Sequence, residues 1–248
     1  MPITSPHNEK LKELRRLRQR RRDRELSGRF VAEGEDLLVA ADAAGWTALE
    51  RFCAAGSGLP GTEVAPEILA GVSELGSGSR TIAVYQQRWS GPAQLPLPRS
   101  GRAGLWVYLH GISDPGNVGA VLRSAAAFGA GCVAFGPDTA DPFGPKAVRA
   151  SMGAVFTVPV LRATPQTLPG VTVALDAHGP ASLASIAAAL GESAPVSLLV
   201  GAERQGLPQE ILAAADHVAT IPILTDSLNA ATAAAIALYE FTRSRLNT

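Results

Sequence analysis

The sequence has 248 residues, of which 46% are apolar and 18% are charged, and its formal net charge at pH 7 is zero. This length is typical of one large or two small globular domains. No run of 18 or more apolar residues occurs, and the start of the chain lacks the apolar stretch of a secretory signal. Cys53 and Cys132 lie far apart without metal-type partners. We therefore expect a cytoplasmic protein without a membrane span, a disulfide or a metal site.

The first part of the chain is strongly basic. Residues 1–30 carry ten basic and four acidic side chains, so the remainder is mildly acidic. Leu11, Leu14 and Leu17 recur every three residues through 8–26, which predicts one helix with a narrow apolar face. Closely spaced arginines repel one another, and a phosphate backbone would relieve that repulsion, although a solvated helix face is the alternative. RNA contact is expected for Arg15, Arg16, Arg18, Arg20, Arg21, Arg22 and Arg24.

A small α/β unit is predicted next. The pattern indicates a helix over 33–45, a strand over 49–54, a helix over 66–75 and a strand over 81–86. Residues 91–104 are dense in Pro, Gly and Arg and lack periodicity, which is typical of an interdomain linker. We therefore predict a first domain at 1–92, a linker at 93–104 and a second domain at 105–248.

The second domain alternates short apolar runs with Ala-rich helical stretches. Strands are expected at 105–111, 132–136, 155–160, 171–176 and 196–201, with helices up to 128, near 146, at 182–190 and from 227. This alternation predicts an α/β fold with a mostly parallel sheet covered by helices on both faces. Ligands bind beyond the carboxyl ends of such strands, so the loops there are the candidate sites.

Three loops at predicted strand ends hold the candidate polar side chains. These are Asn117 and Arg123 in 113–131, Glu203 in 201–210, and Ser227 and Asn229 in 221–240. Each has an ordinary structural alternative. Asn117 and Ser227 could be turn or helix-cap residues, Arg123 a structural salt-bridge residue and Glu203 a solvated carboxylate.

Taken together, the three loops resemble the signature motifs of the SpoU/TrmH family of RNA ribose 2′-O-methyltransferases, within the SPOUT class. The first motif reads NVGAVLR (117–123) and the second reads LLVGAERQGL (198–207). The third begins at Ile221-Pro222 and ends as SLNAATAAAIALYE (227–240). The segment 141–160 also fits, and the basic N-terminal part resembles the RNA substrate-binding domain that precedes the catalytic domain in many members.

The resemblance implies a reaction and a site. Family members transfer a methyl group from S-adenosylmethionine to a ribose 2′-hydroxyl, in a homodimer whose C-terminal SPOUT domain has a deep trefoil knot. Carried over, the cofactor contacts are Gly201, Ala202, Ile221 and Leu228. A guanidinium is a poor base, so we expect Arg123 to stabilise charge and clamp phosphate. Asn117, Glu203, Ser227 and Asn229 would complete the pocket and orient Arg123.

Large-subunit (23S) ribosomal RNA is the expected substrate, and transfer RNA is the main alternative. Two further hypotheses stay open. One is a non-catalytic RNA-binding or ribosome-assembly protein on the same scaffold. The other is a nucleotide-using α/β enzyme unrelated to RNA, which the lack of Gly-rich phosphate-binding motifs disfavours.

Overall fold

The computed structural model of the chain describes residues 1–73, 78–91 and 104–243. Most of the predicted linker at 93–104 lies outside these residues, as does the end of the helix predicted over 66–75. Within the described residues, no helix is long and apolar enough to cross a membrane. The same residues contain no group of three or more His, Cys, Asp or Glu side chains that could hold a metal ion.

The basic segment forms two helices instead of the single predicted one. Helix α1 (Glu9–Gln19) begins at Asn8, whose side chain accepts a hydrogen bond from the backbone amide of Lys10 at 3.0 Å. Arg20 is extended and interrupts the helix before α2 (Arg21–Ser27). The predicted apolar face is confirmed, because all three leucines of α1 are buried against the first sheet.

Two of the seven arginines predicted to contact RNA are buried in ion pairs within the chain. Arg18 follows Leu14 by four positions, so it lies on the buried face of α1, where it contacts Glu33 at 2.7 Å. The break between the helices turns Arg24 toward the second part of the chain, where it contacts Asp141 at 2.7 Å. In this structure Arg18 and Arg24 are not accessible to RNA, which counts against their predicted contact with it.

The first sheet has four strands and matches the predicted small α/β unit. Its strands lie in the order β1 (Arg29–Glu33), β4 (Thr81–Gln86), β2 (Glu50–Ala54) and β3 (Thr62–Val64). Helices α3 (Glu35–Ala43) and α4 (Pro66–Ala70) complete the unit. Strand β1 was not predicted, and its last residue, Glu33, was expected to begin the following helix.

The second sheet has seven strands, and all of its neighbours pair in parallel, which confirms the predicted class. Its order is β7 (Val160–Arg162), β6 (Cys132–Phe135), β5 (Leu105–Leu109), β10 (Val196–Val200), β8 (Val171–Leu175), β11 (His217–Thr220) and β9 (Ala181–Ser182). Its helices are α5 (Pro115–Ala127), α6 (Pro145–Ala150), α7 (Leu183–Leu190), α8 (Gln209–Ala214) and α9 (Ala230–Thr242). The strand predicted at 155–160 is instead a 3-10 turn followed by β7.

The strands of this sheet are buried on both faces. Val107 and Leu198 pack with α5 and α9 on one face, whereas Tyr108 and Leu199 pack with Ile211 of α8 on the other. Because every strand points the same way, all of the carboxyl ends meet at one edge of the sheet. The loops selected from the sequence therefore belong to the same edge.

Aromatic side chains join the two parts of the chain. The ring centroid of Phe30, in the first sheet, lies 4.8 Å from that of Phe143. The ring centroid of Tyr85, in the same sheet, lies 5.3 Å from that of Phe156. The indole Nε1 of Trp46 donates a hydrogen bond to the carbonyl of Phe156 at 2.8 Å. The first sheet thus shares one hydrophobic core with the parallel sheet.

Replacing Asp141 by Asn is expected to lower the free energy of unfolding by about 3 kcal/mol, because it leaves the buried guanidinium of Arg24 without its counter-charge. Glu35→Gln is the control, since it removes an exposed pair with Arg80 and should cost less than about 1 kcal/mol. Urea unfolding measures both values. Equal effects of the two substitutions would show that burial of the Arg24 pair carries no special cost.

Both cysteines are free and buried. Burial raises the pKa of the Cys132 thiol to about 12. Since the thiolate is the reactive form, Cys132 should resist a thiol reagent at pH 8 until the chain is unfolded. Mass spectrometry of labelled peptides checks this expectation, and labelling of Cys132 in the native protein would contradict it.

Candidate functional site

The first of the three loops is held by helix packing. Asp114 caps α5 by accepting a hydrogen bond from the amide of Gly116 at 2.6 Å, and Lys146 contacts the same carboxylate at 3.0 Å. The hydrogen bond from Lys146 lowers the pKa of Asp114 below its usual value. A Cβ at Gly119 would lie 2.4 Å from the carbonyl oxygen of Ala147, so this glycine allows α6 to pack closely. The first turn of α5, which carries Asn117, is fixed in place as a result.

A hydrogen-bonded network joins the three loops. The amide Nδ2 of Asn117 donates to Oε1 of Glu203, in the loop after β10. The amide Nδ2 of Asn229, in the loop after β11, donates to Oδ1 of Asn117 at 3.0 Å. We call Asn117, Glu203 and Asn229 the amide network. These residues are 112 positions apart at the extremes, and the fold brings them together at the carboxyl edge of the sheet.

Glu203 and Asn229, at the two ends of the amide network, together fix the orientation of the side-chain amide of Asn117 between them. An ionised Glu203 carboxylate can only accept, so Asn117 must present its Nδ2 there. Asn229 caps α9 by accepting with Oδ1 from the backbone amides of Ala231 and Thr232, at 3.0 and 3.2 Å. Its Nδ2 is therefore the group available to Asn117. Asn117 thus has a single orientation that satisfies both neighbours.

A cavity of about 340 Å³ lies beside the amide network, at the ends of β8, β10 and β11. The predicted residues that line it are Gly201, Ala202, Glu203, Ile221, Ser227 and Leu228. A Cβ at Gly201 would lie 2.2 Å from the backbone of Gly206, so this tight turn requires a glycine. Asn117 joins the cavity through its hydrogen bond to Glu203, and Asn229 through its hydrogen bond to Asn117.

Most of the charged side chains in the cavity wall are acidic. Besides Glu203, the carboxylates of Asp176 and Asp226 line it, together with His178 and the exposed guanidinium of Arg204. Asp176 follows β8 directly, and one of its carboxylate oxygens accepts from the amide of His178 at 2.8 Å. Asp176 is not among the site residues predicted from the sequence, although it ends the predicted strand at 171–176 and ligands bind beyond such strand ends.

Arg123 lies away from the other predicted catalytic residues. It follows Asn117 by six positions on α5, about 9 Å along the axis, and its side chain is exposed. It does not line the cavity. Among the residues that the structure describes, neither the amide network nor Ser227 hydrogen-bonds to it, so the expected orientation of Arg123 by these side chains is not observed.

The other predicted RNA contacts lie at the surface. Arg16, Arg20, Arg21 and Arg22 are exposed, and Arg15 is half-buried with a hydrogen bond to the carbonyl of Pro6 at 2.7 Å. These five guanidiniums remain accessible to a polyanion.

The parallel sheet and the cavity at its carboxyl edge define an α/β protein that binds a small ligand where its strands end. Residues 104–239 match the model of the SpoU rRNA Methylase family, and residues 8–83 match that of the MRM3-like substrate binding domain. The chain therefore belongs to the SpoU methylase family, as its motifs predicted.

Relatives with assigned names agree with this membership. The chain is 40% identical to an uncharacterized tRNA/rRNA methyltransferase of Mycobacterium tuberculosis over 55% of its own length and 51% of the relative, so the match spans about half of that protein. An uncharacterized tRNA/rRNA methyltransferase of Synechocystis is 30% identical over 98% of this chain and 94% of the relative. A 23S rRNA (uridine-2′-O)-methyltransferase of Streptomyces viridochromogenes is 33% identical over 54% of this chain and 51% of the relative.

Two solved structures share nearly the whole fold. The AdoMet-bound rRNA methyltransferase of Sinorhizobium meliloti has a TM-score of 0.86 and 31% identity, covering 98% of each chain. The SpoU methyltransferase AviRb of Streptomyces viridochromogenes, in complex with AdoMet, has a TM-score of 0.86 and 26% identity, covering 97% of this chain and 99% of that one.

Proposed function

We propose that the protein transfers a methyl group from S-adenosylmethionine to a ribose 2′-hydroxyl of 23S ribosomal RNA. The observation that carries this proposal is the amide network, which ties all three family motifs to one cavity at the carboxyl edge of the parallel sheet. A protein that only bound RNA would not need this cavity.

The cavity suits the charges of this cofactor. S-adenosylmethionine carries a sulfonium and an ammonium, and the carboxylates of Asp176, Glu203 and Asp226 line the cavity. The carboxylate of S-adenosylmethionine can pair with the guanidinium of Arg204, which lines the same cavity. The backbone at Gly201, Ala202, Ile221 and Leu228 would hold the adenosine. Once bound, the cofactor supplies a methyl group that its sulfonium already makes electrophilic.

The protein then has to align the 2′-oxygen and stabilise its developing charge. Alignment accounts for about 7–11 kcal/mol of barrier in favourable systems. The amide network places oriented polar groups beside the cavity, with Ser227 on its wall. We assign Arg123 to charge stabilisation and to the neighbouring phosphate, the role that the family motif implies for it. Proton removal is then late, or to solvent.

Three observations support an RNA substrate and its class. Residues 105–248 hold seven basic and ten acidic side chains, so the exposed arginines of α1 and α2 are expected to supply most RNA affinity. Residues 8–83 match a substrate-binding domain model. The name of the Streptomyces relative favours 23S RNA over transfer RNA.

We further propose a cytoplasmic homodimer packed through the C-terminal part. The exposed Ile236 and Tyr239 of α9 offer apolar surface for this contact. Sedimentation of the purified protein tests the oligomeric state.

The decisive experiment incubates the protein with labelled S-adenosylmethionine and separate pools of unmodified ribosomal and transfer RNA. Digestion then identifies the methylated nucleoside. We expect a 2′-O-methyl nucleoside from the ribosomal pool. A methylated product from the transfer RNA pool alone would mean that the substrate is transfer RNA. RNA binding without methylation of either pool or of ribosomal particles would favour the non-catalytic alternative. A methyl group on a base would contradict the reaction.

A further inference from the structure

A second cavity, of about 570 Å³, lies between α2 and the parallel sheet. We call it the interdomain cleft. The side chains that matter here are Arg21, Trp89, Phe135, Arg162, Thr164 and Thr167. Phe135 and Arg162 are the last residues of β6 and β7, so the cleft opens at the same edge of the sheet as the cofactor cavity.

The cleft contains a supported cationic platform. The guanidinium of Arg162 lies 4.8 Å from the ring centroid of Trp89. The indole is held in turn by edge contacts with Phe135 and Phe143, whose ring centroids lie 6.1 and 5.2 Å away. The Arg162 side chain is still 59% exposed, so the outer face of its guanidinium remains open. Unpaired RNA bases stack on such guanidinium planes and on aromatic rings.

A second guanidinium stands beside this platform. Glu25 contacts Arg21 at 3.0 Å and Arg162 at 3.2 Å, so one carboxylate orients both cations. Arg21 also donates to the carbonyl of Thr139 at 3.1 Å. Arg20 and Arg22, which flank Arg21 in the chain, are exposed, and the cleft is therefore continuous with the basic surface of α1 and α2.

The position of the cleft relates it to the catalytic reaction. In the sheet order, β5 alone separates β6 from β10, so the nearest strands of the two cavities are two strand spacings, roughly 10 Å, apart. RNA that runs from the basic helices to the cofactor cavity would cross the interdomain cleft.

From this arrangement we infer that the interdomain cleft binds an unpaired nucleotide of the RNA substrate, with the base on the Arg162–Trp89 platform and its phosphate on Arg21. This inference rests on the proposed RNA substrate. It adds a contact for single-stranded RNA near the target ribose, which the family motifs do not contain.

Tryptophan fluorescence can report on this site. Trp46 and Trp106 are 7% and 3% exposed, whereas Trp89 is half-buried at the cleft. A ten-nucleotide oligouridylate is expected to quench the fluorescence of the wild-type protein, and Trp89→Phe should remove this signal while leaving a ring beneath Arg162. Arg162→Gln should raise the Kd for the oligonucleotide about tenfold, a typical effect of losing one stacked base. Arg21→Gln, which removes the guanidinium assigned to the phosphate, should reduce the salt dependence of binding by about one phosphate contact.

The matched control is Arg80→Gln. Arg80 is also exposed and paired with a carboxylate, but it lies at the opposite end of β4 from Trp89, about 20 Å away along the strand. Its substitution should leave the Kd and the quenching unchanged, and thermal melting checks that every variant is folded. Equal oligonucleotide binding by the Arg162→Gln and wild-type proteins would overturn the inference, as would quenching that persists in Trp89→Phe.

Two further arms separate this inference from other outcomes. Uridine monophosphate that quenches as tightly as the oligonucleotide would indicate a free-nucleotide site and would reject the RNA path. Methyl transfer is measured separately. If the wild-type protein methylates RNA but Arg162→Gln does not weaken oligonucleotide binding, the inference about the cleft is rejected and the proposed function stands. If the cleft binds the oligonucleotide but the protein methylates no RNA, the proposed function is rejected and the cleft remains a nucleotide-binding site.

Discussion

An Arg123→Ala variant is expected to lose about a hundredfold in kcat/KM for RNA methylation while remaining folded. The guanidinium is exposed on α5 and has no hydrogen bond or ion pair among the residues described, so truncation breaks no polar contact there. In the proposed reaction it stabilises charge at the 2′-oxygen and holds the adjacent phosphate. Loss of one donor of this kind lowers rates by about 10²–10³ in other enzymes.

Two variants sharpen the Arg123 result. Arg123→Lys keeps the charge but not the planar fork, so it should lie between wild type and Arg123→Ala. Arg243→Ala removes an exposed guanidinium near the end of α9 and should leave the rate unchanged. Initial rates with labelled cofactor and variable RNA give kcat and KM, and the KM for the cofactor should not move. A loss below threefold for Arg123→Ala would remove Arg123 from the mechanism.

The sequence predicts most of the parallel sheet because its central strands are buried on both faces. Strands β5 and β10 therefore appear as continuous apolar runs, and both are found where expected. Strand β11 was missed because it is short and begins with the polar His217. Strand β1 was missed because only three central residues are buried, and so short an apolar run does not distinguish a strand from a helix start.

The site was predictable in its membership but not in its contacts. Because ligands bind beyond the carboxyl ends of parallel strands, loops that meet at one edge of the sheet could be chosen from the sequence. The spacing of Asn117 and Asn229 in the chain, however, does not indicate that their side-chain amides are hydrogen-bonded. Burial of Arg18 and Arg24 could not be predicted, because it depends on Glu33 and Asp141, which the fold brings from other elements. The trefoil knot implied by the family motifs stays a prediction.

Replacing Asn229 by Asp is expected to lower kcat about a hundredfold while α9 keeps its N-terminal cap. The introduced carboxylate still accepts from the amides of Ala231 and Thr232, so α9 keeps its cap. It cannot donate to Oδ1 of Asn117, however, and two carboxylates would then compete for the one donor end of that amide. Rotation of the Asn117 amide would only move the conflict to Glu203.

Comparison with two other substitutions separates positioning from folding. Asn229→Ser keeps a capping oxygen but is too short to reach Asn117, so it should lower kcat without lowering Tm. Asn229→Ala also loses the cap and should cost about 1 kcal/mol of stability. Circular-dichroism melts and kcat values are the two measurements. If kcat followed Tm across the three variants, Asn229 would be a helix cap and nothing more.

The pH profile of Asn229→Asp gives the most direct test of the amide network. The carboxyl group introduced by this substitution takes up a proton as the pH falls through its pKa. Once protonated, that group has an O–H that can donate to Oδ1 of Asn117, as the native amide does. The activity of the variant relative to wild type should therefore rise as the pH falls through this pKa, whereas that of Asn229→Ser should stay constant. A merely structural role for Asn229 gives no reason for the two variants to differ in this way.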